Sequence, residues 1–226
     1  MIKLGIEELR NNASKLFDIN NFPVALKIKL VYTSLAFEYS SVTEEEVKRV
    51  LDGEQSDSHL LISNHIKALD FVIDAVKNNK EFTENMLKDM HEILMNNILD
   101  VSGLYRNVDI SIKGSNHTPP SHIKVYDRMG KYFDYLNSDH ADLLEYIAYS
   151  HLQLAKVHPF LDGNGRCARL VLNYELMTNG FAPVYILPDE RNKYYDCLEE
   201  FKVNKDSTPF KQFLLEIEAR TLDELK

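Results

Sequence analysis

Tryptophan is absent from this sequence of 226 residues, and cysteine is scarce, with only Cys167 and Cys197. The two cysteines form no CxxC pair, and so small a number fits free thiols in a reducing compartment. The sequence also lacks any run of about 18 apolar residues, which a membrane-spanning helix would need. Its first residues do not show the basic and then apolar pattern of a secretory signal. We therefore expect a cytoplasmic protein without a membrane partner.

Basic residues are in the minority, since 26 Lys and Arg stand against 35 Asp and Glu, for a net charge of −9. Proteins that bind nucleic acids generally present a large basic surface. We therefore expect no nucleic-acid partner, although a local basic pocket is compatible with this net charge. Hydrophobic residues make up 44% of the chain, enough for one domain with a substantial core, or one domain with a small appendage.

Apolar residues recur at helical spacing along most of the chain, which predicts an all-α fold. We predict helices over residues 21–37, 43–52, 60–76, 82–99, 139–157, 166–178, 194–201 and 210–217. Thr43 and Glu46 have the spacing of a capping box, and Thr83 is the expected cap of the fourth helix. The helix over 166–178 is apolar on most sides, so we expect it to be the central, buried helix.

The segment 107–125 departs from this helical pattern. Apolar and polar residues alternate from Val108 to Ile112 and again from Ile123 to Val125, on either side of a turn-rich stretch. Such alternation around a turn predicts a β-hairpin. The expected fold is therefore a compact helical bundle with one small β-hairpin.

Residues 158–169 read HPFLDGNGRCAR and lie between two predicted helices. Gly163 and Gly165 let the backbone turn tightly, and their amide groups at the start of the next helix can form an anion-binding nest. Arg166 and Arg169 are three positions apart, so they share one face of that helix. The pattern indicates a site for a polyphosphate.

Two further side chains complete the pattern. Asp162 places a carboxylate beside the nest, as a Mg²⁺ ion that bridges phosphate oxygens requires. His158 can act as a general base near neutral pH. Each feature has a plain structural alternative, namely a structural histidine, an ordinary turn and a solvated arginine face. Their combination within twelve residues favours the phosphate site.

The same segment resembles the HxFx(D/E)GNGRxxR signature of Fic domains at every fixed position. Residues 103–106 and 114–120 resemble the family's flap region, and Tyr194 and Tyr195 resemble the tyrosine pair near its adenine pocket. The resemblance covers about residues 30–215. It implies a compact helical bundle with a β-hairpin flap, which agrees with the fold expected above.

The resemblance implies a protein adenylyltransferase that uses ATP and Mg²⁺ (or Mn²⁺) and transfers AMP to a Ser, Thr or Tyr hydroxyl, releasing pyrophosphate. His158 would be the catalytic base, and Asp162 would hold the metal ion. Asn164 would contact the α-phosphate, Arg166 the β-phosphate and Arg169 the γ-phosphate.

Further nucleotide contacts are implied around this set. The amides of Gly163 and Gly165 would stabilise charge on the α-phosphate, and Tyr194 and Tyr195 would line the adenine pocket. His117, at the tip of the expected flap, is another candidate, with a solvated turn histidine as the alternative. The target protein would dock as an extended segment on the flap, at about 107–125.

Ser34 and Glu38 resemble the inhibitory (S/T)xxxE(G/N) motif of the family, with Tyr39 where Gly or Asn is usual. The resemblance implies that Glu38 pairs with Arg169 and so restrains both transfer and self-modification. A surface glutamate at the end of an ordinary helix is the alternative. We therefore divide the chain into residues 1–55, with the inhibitory helix at about 22–40, and a Fic catalytic core at 56–226, packed as one unit.

Other functions remain open at this point. The same residues would serve removal of AMP from a modified protein, with Glu38 positioning a water molecule, and transfer of UMP or phosphocholine is a further variant. A non-catalytic nucleotide-binding adaptor is disfavoured because the motif's functional side chains are all intact. The sequence does not fix the target protein, the direction of the reaction or the oligomeric state, and an oligomer stays open.

Overall fold

The structure, a computed structural model, describes residues 5–112 and 114–226. In these ranges the chain forms ten α-helices, joined by loops and three short 3₁₀ turns. The helices are α1 (Ile6–Leu16), α2 (Val24–Ala36), α3 (Glu44–Leu51), α4 (His59–Lys77), α5 (Glu84–Met95), α6 (Val125–Leu136), α7 (Leu143–Val157), α8 (Asn164–Thr178), α9 (Arg191–Asn204) and α10 (Thr208–Glu224). No helix in the described ranges is both long and apolar enough to span a lipid bilayer.

Helix α8 is the centre of the bundle. Every residue from Arg166 to Met177 is buried, and the helix packs against α2, α4, α5 and α7. The prediction of a central, buried helix over 166–178 is confirmed. Because a helix that is enclosed on all sides cannot shift easily, its first residue, Asn164, fixes the position of the glycine turn that precedes it.

The predicted helix caps are also present. The Oγ1 atom of Thr43 accepts a hydrogen bond from the amide of Glu46 at 3.2 Å, and the Glu46 carboxylate accepts one from the amide of Thr43 at 3.0 Å. At the start of α5, Thr83 accepts from the amide of Met86 at 3.2 Å. These bonds satisfy donors that a helix leaves unpaired in its first turn.

Two helices, α1 and α6, were not predicted. The buried residues of α6 include Val125, Met129, Tyr132 and Leu136, which is helical spacing. The signal was therefore present, but the interpretation of 107–125 as a hairpin placed Val125 in a strand.

The β-hairpin prediction is wrong for the described residues of 107–125, which contain no strand. Pro119 and Pro120 have no backbone N–H to donate to a sheet ladder. Ile123 lies instead in a 3₁₀ turn, His122–Lys124, and α6 begins directly after it. Lys113, at the end of the first predicted alternating stretch, is outside the described residues. We call the described residues of 107–121 the flap loop.

The flap loop is held by Arg106 and not by the hydrogen bonds of a β-ladder. Its guanidinium donates to three carbonyl oxygens, those of His158 at 2.9 Å, Val108 at 3.0 Å and Pro120 at 2.5 Å. Its own amide donates to the carbonyl of Pro159 at 2.9 Å. A buried guanidinium can bind three carbonyl oxygens at once because its donors lie in a fixed plane and point in different directions. The flap loop is therefore tied to the backbone at His158.

We predict that Arg106→Met lowers the free energy of unfolding by at least about 2 kcal/mol, because it leaves three carbonyl oxygens without a charged donor. The amides of the flap loop should also exchange with solvent faster. Urea unfolding and hydrogen exchange read by mass spectrometry would measure the two effects. Arg128→Met, at an exposed position on α6, is the matched control. If the amides of the flap loop were equally protected from exchange in both variants, Arg106 would not be the residue that holds this loop.

Candidate active site

The loop between α7 and α8 turns sharply at two residues with left-handed backbone conformation. His158, at the end of α7, has φ 52° and ψ 60°, and Gly163, just before α8, has φ 73°. A Cβ atom on Gly163 would lie 2.9 Å from the sulfur of Met95. Both conformation and space therefore require glycine at this position, which is where the sequence predicted the turn.

Asn164 closes the loop with a reciprocal pair of hydrogen bonds. Its side-chain amide donates to the carbonyl of Phe160 at 2.9 Å and accepts from the amide of Phe160 at 2.8 Å. The side chain is thus engaged with the backbone of the loop. The amide groups in the first turn of α8 have no acceptor within the helix and face the end of this loop.

His91 is a second support of the loop, and the sequence analysis did not single it out. Its ring stacks on Phe160 with centroids 3.8 Å apart. Its Nδ1 accepts from the amide of Gly103 at 2.8 Å, so its Nε2–H donates to the carbonyl of Asp162 at 3.0 Å. Burial lowers the pKa of His91 to about 4, in agreement with a neutral ring that has one donor and one acceptor.

His158, the predicted base, is neutral and oriented. Its Nδ1–H donates to the carbonyl of Ala155 at 3.2 Å, which leaves Nε2 as the unprotonated nitrogen. Burial lowers the pKa of His158 to about 4, so the imidazole is free to accept a proton at neutral pH.

A cavity of about 190 Å³ brings most of the predicted site residues together. Its lining includes eight of them: Glu38, His158, Asp162, Asn164, Gly165, Arg169, Tyr194 and Tyr195. It also includes two charged residues that the sequence analysis did not select, Glu199 and Lys202. Four other candidates, Ser34, His117, Gly163 and Arg166, lie outside this lining.

The two motif arginines face the end of α2. Arg169 donates from Nε to the hydroxyl of Ser34 at 2.9 Å and from Nη2 to the carbonyl of Ser34 at 2.8 Å. The carboxylate of Glu38 lies between the arginines, 3.0 Å from Nε of Arg166 and 3.7 Å from Nη2 of Arg169. A Cβ atom on Gly165 would come within 3.4 Å of this carboxylate, so glycine leaves the space that Glu38 enters.

Tyr39 follows Glu38 without strain. It is not among the residues with positive φ, so the helix end does not use the left-handed conformation that favours Gly or Asn. Its ring lies 5.4 Å from the guanidinium carbon of Arg166. The departure from the inhibitory motif therefore places an aromatic face beside a buried cation.

The tyrosine pair divides between core and cavity wall. Tyr194 is 1% exposed and donates to Nε2 of His151 at 2.9 Å, while Nδ1–H of His151 donates to the carbonyl of Ala168 at 2.8 Å. Tyr195 is 38% exposed. Phe37 contacts both tyrosine rings, with centroids 5.5 and 5.9 Å apart, so the chain after α2 covers this wall.

The tip of the flap loop is anchored on α9 and α7. Glu199 accepts hydrogen bonds from the hydroxyl of Ser115, from the amide of Asn116 at 3.0 Å and from Lys202 at 3.2 Å. His117 donates from Nε2 to the carbonyl of Lys156 at 3.1 Å. His117 therefore holds the loop against α7 in this structure, and its predicted nucleotide contact remains untested.

The fold and the site together define a helical bundle whose central helix begins at a glycine turn. A neutral histidine and one arginine line a cavity at this turn, and a second arginine is buried in the first turn of the same helix. Residues 81–176 match the Fic/DOC family, so the chain contains a Fic domain.

Similar proteins agree with this assignment. The chain is 30% identical to the protein adenylyltransferase Fic of Drosophila persimilis over 203 residues, which span 85% of this chain and 39% of that protein. A Fic domain-containing signaling protein from Bacteroides thetaiotaomicron has the same fold, with a TM-score of 0.85, 20% identity and coverage of 97% and 94% of the two chains. IbpAFic2, solved in complex with adenylylated Cdc42, has a TM-score of 0.60, 16% identity and coverage of 96% and 71%.

We predict that His91→Gln weakens the dependence of stability on pH. Between about pH 4 and 6.5 the unfolded chain holds a proton on this imidazole that the folded chain does not, so acid favours unfolding. Between pH 7 and pH 5 the wild type should lose about 2 kcal/mol more than the variant. Buried Glu175 and Glu218, whose pKa values burial raises to about 7 and 8, act in the opposite direction in both proteins. Urea unfolding at each pH would measure the difference. If the free energy of unfolding of both proteins changed equally with pH, the neutral state assigned to His91 would be contradicted.

Proposed function

We propose that this chain transfers AMP from ATP to a Ser, Thr or Tyr hydroxyl of a target protein and releases pyrophosphate. The observation that carries the proposal is the placement of neutral His158, Asp162 and Arg169 around one cavity at the start of α8. The name of the Drosophila relative supports the same activity. The chain spans 39% of that relative, so the transfer is proposed for the part that the chain contains.

The proposed reaction is an in-line displacement at the α-phosphorus. Nε2 of His158 takes the proton of the incoming hydroxyl as its oxygen bonds to the α-phosphorus, and the bond to the β-phosphate oxygen breaks. The amides at the start of α8 stabilise the charge on the α-phosphate. Arg166 and Arg169 hold the β- and γ-phosphates, which leave as pyrophosphate.

Asp162 is the residue that would hold Mg²⁺ or Mn²⁺. Its side chain is 57% exposed, and one oxygen accepts from the amide of Gly163 at 2.7 Å. Magnesium is usually bound by one or two carboxylates together with substrate phosphates and water, and this single exposed carboxylate fits that role. The ion would neutralise phosphate charge.

The target is proposed to dock as an extended segment beside the flap loop. The loop is joined through Arg106 to the backbone of His158 at 2.9 Å, so a segment lying along it would be close to the base. A Fic structure containing adenylylated Cdc42 supports a protein as target. The chain itself is a second target to test. The cytoplasmic location and the division at residue 55 remain predictions.

Removal of AMP is a second candidate, because Glu38 lines the same cavity as His158 and its side chain is 32% exposed. A carboxylate placed there can orient a water molecule. Both directions would use the same motif, so only a measurement of the product distinguishes them.

Parallel labelling with α-³²P-ATP and γ-³²P-ATP tests the transfer. We predict that protein is labelled from the α-phosphate alone and that His158→Ala abolishes labelling while ATP affinity stays within about threefold, because the base acts on the hydroxyl. Label from the γ-phosphate would identify a kinase instead. Wild-type labelling by His158→Ala would remove His158 from the reaction.

Autoinhibition by Glu38 is part of the proposal. The carboxylate lies against both arginines that the β- and γ-phosphates would need, and two phosphates and Glu38 cannot share those donors. The cavity of about 190 Å³ is also smaller than the 300–1,000 Å³ usual for ligand sites. Glu38 must therefore move before ATP can bind productively.

We predict that Glu38→Gly and Glu38→Gln both raise transfer and self-modification. If displacement of the carboxylate costs about 1.4 to 4 kcal/mol, the increase is roughly 10- to 1,000-fold. The glutamine variant separates loss of charge from loosening of the helix end by glycine. Glu45→Gln, an exposed position on α3, is the matched control. Equal rates in all proteins would exclude autoinhibition by Glu38. Loss of AMP release from an AMP-modified target in both Glu38 variants would favour AMP removal.

A further inference from the structure

A second cavity, of about 580 Å³, lies at the other end of α8. Glu175, in its lining, is nine positions after Arg166, which corresponds to about 14 Å along the helix. The other walls come from the chain between α4 and α5, from the chain after α6, and from α7. The cavity is therefore separate from the proposed site of AMP transfer.

Glu175 is an acidic residue without a counter-ion in this cavity. It is 2% exposed, and its Oε1 has no hydrogen-bond partner among the described residues. The lysine in the lining, Lys80, is 2.9 Å from the carboxylate of Asp74. A buried carboxyl group without a counter-ion is unfavourable when ionised. Burial raises the pKa of Glu175 to about 7, although a hydrogen bond from the Tyr146 hydroxyl acts to lower that pKa. A cation placed beside it would stabilise the ionised form.

Aromatic rings form the sides of the cavity. Tyr174 packs on Phe82 with centroids 5.3 Å apart, and Tyr146 packs on His140 with centroids 4.8 Å apart. The hydroxyl of Tyr174 donates to the carbonyl of Lys80 at 2.6 Å. Aromatic faces attract organic cations, so the aromatic walls and the carboxylate of Glu175 both favour a cationic organic ligand.

The chemistry of the lining restricts which cation fits. The lining also includes the exposed carboxylate of Glu81. Calcium and magnesium need several oxygen ligands, and no group of three or more His, Cys, Asp or Glu side chains suited to a metal ion occurs among the described residues. A guanidinium binds best to both oxygens of a carboxylate. An ammonium group is a compact charge that can donate to one oxygen while its alkyl chain lies along the rings.

We propose that this cavity binds the ammonium group of a primary amine, with Glu175 as counter-ion and Tyr146 and Tyr174 as aromatic walls. Two sources share this chemistry, a free small amine and the lysine side chain of a protein. The proposal does not depend on the reaction at His158.

The probes are n-butylammonium and the neutral n-butanol, measured by calorimetry or ligand-observed NMR on the wild-type chain. We expect the amine to bind at least tenfold more tightly than the alcohol. Glu175→Gln should lower amine affinity at least tenfold. Glu218→Gln is the matched control, because Glu218 is also 2% exposed and also has an unpartnered oxygen within the described chain, but does not line this cavity. It should retain wild-type affinity.

A third probe, Nα-acetyl-lysine N-methylamide, distinguishes the sources. Binding comparable to that of n-butylammonium supports a lysine side chain, and binding of n-butylammonium alone supports a free amine. Equal binding of amine and alcohol, no binding of either, or equal affinities in the Glu175 and Glu218 variants would overturn the proposal. The comparison of amine with alcohol uses wild-type protein, so it does not depend on the folding of any variant.

Discussion

The burial of Arg166 is the constraint on which the rest of the site depends. Its guanidinium is always charged and is 0% exposed, so it requires an anion beside it. Glu38 supplies that charge at 3.0 Å, yet none of the three guanidinium nitrogens has a well-directed hydrogen bond to any residue that the structure describes. The carboxylate of Asp162 lies 3.7 Å from Nη2 of the same guanidinium. Glu38 and Asp162 therefore balance the charge of Arg166 without satisfying its donors. An anion with more oxygens, such as a polyphosphate, would satisfy both.

A site for a polyphosphate depends on hydrogen-bond donors that are in place before the ligand binds. Three side chains hold the donors of this site in position. Asn164 closes the loop on Phe160, His91 supports it from α5, and Arg106 ties it to the flap loop. Because each of these side chains bonds to backbone, the amides and the imidazole of His158 need little rearrangement when a ligand enters. Such preorganisation is a large part of catalysis by positioning and electrostatics.

What the sequence could predict follows from how local the contacts are. One continuous segment contains the glycine turn, the central helix and the two arginines. Their spacing in the sequence was therefore sufficient to predict that they lie together. His91 and Arg106 could not be placed in the same way, because they bond to residues 71 and 52 positions away. The hairpin failed for a related reason, since alternation near Val108 indicates a strand only if a partner forms a ladder with it. Here the carbonyl of Val108 accepts instead from the guanidinium of Arg106.

The end of α2 acts on the arginines as a unit rather than through one carboxylate. Ser34 lies in the last turn of this helix, where carbonyl oxygens lack an intrahelical partner and the helix dipole is negative. Arg169 donates to that carbonyl and to the hydroxyl of Ser34, so it caps the helix, while Glu38 lies closer to Arg166. Ser34 thus contacts Arg169, whereas Glu38 contacts both arginines and lies closer to Arg166. Under the proposed autoinhibition, a productively bound nucleotide would replace both sets of contacts. The end of α2 would then move away only if Phe37 also lost its contacts with Tyr194 and Tyr195. The strength of the proposed autoinhibition would therefore depend on the packing of α2 as well as on the charge of Glu38.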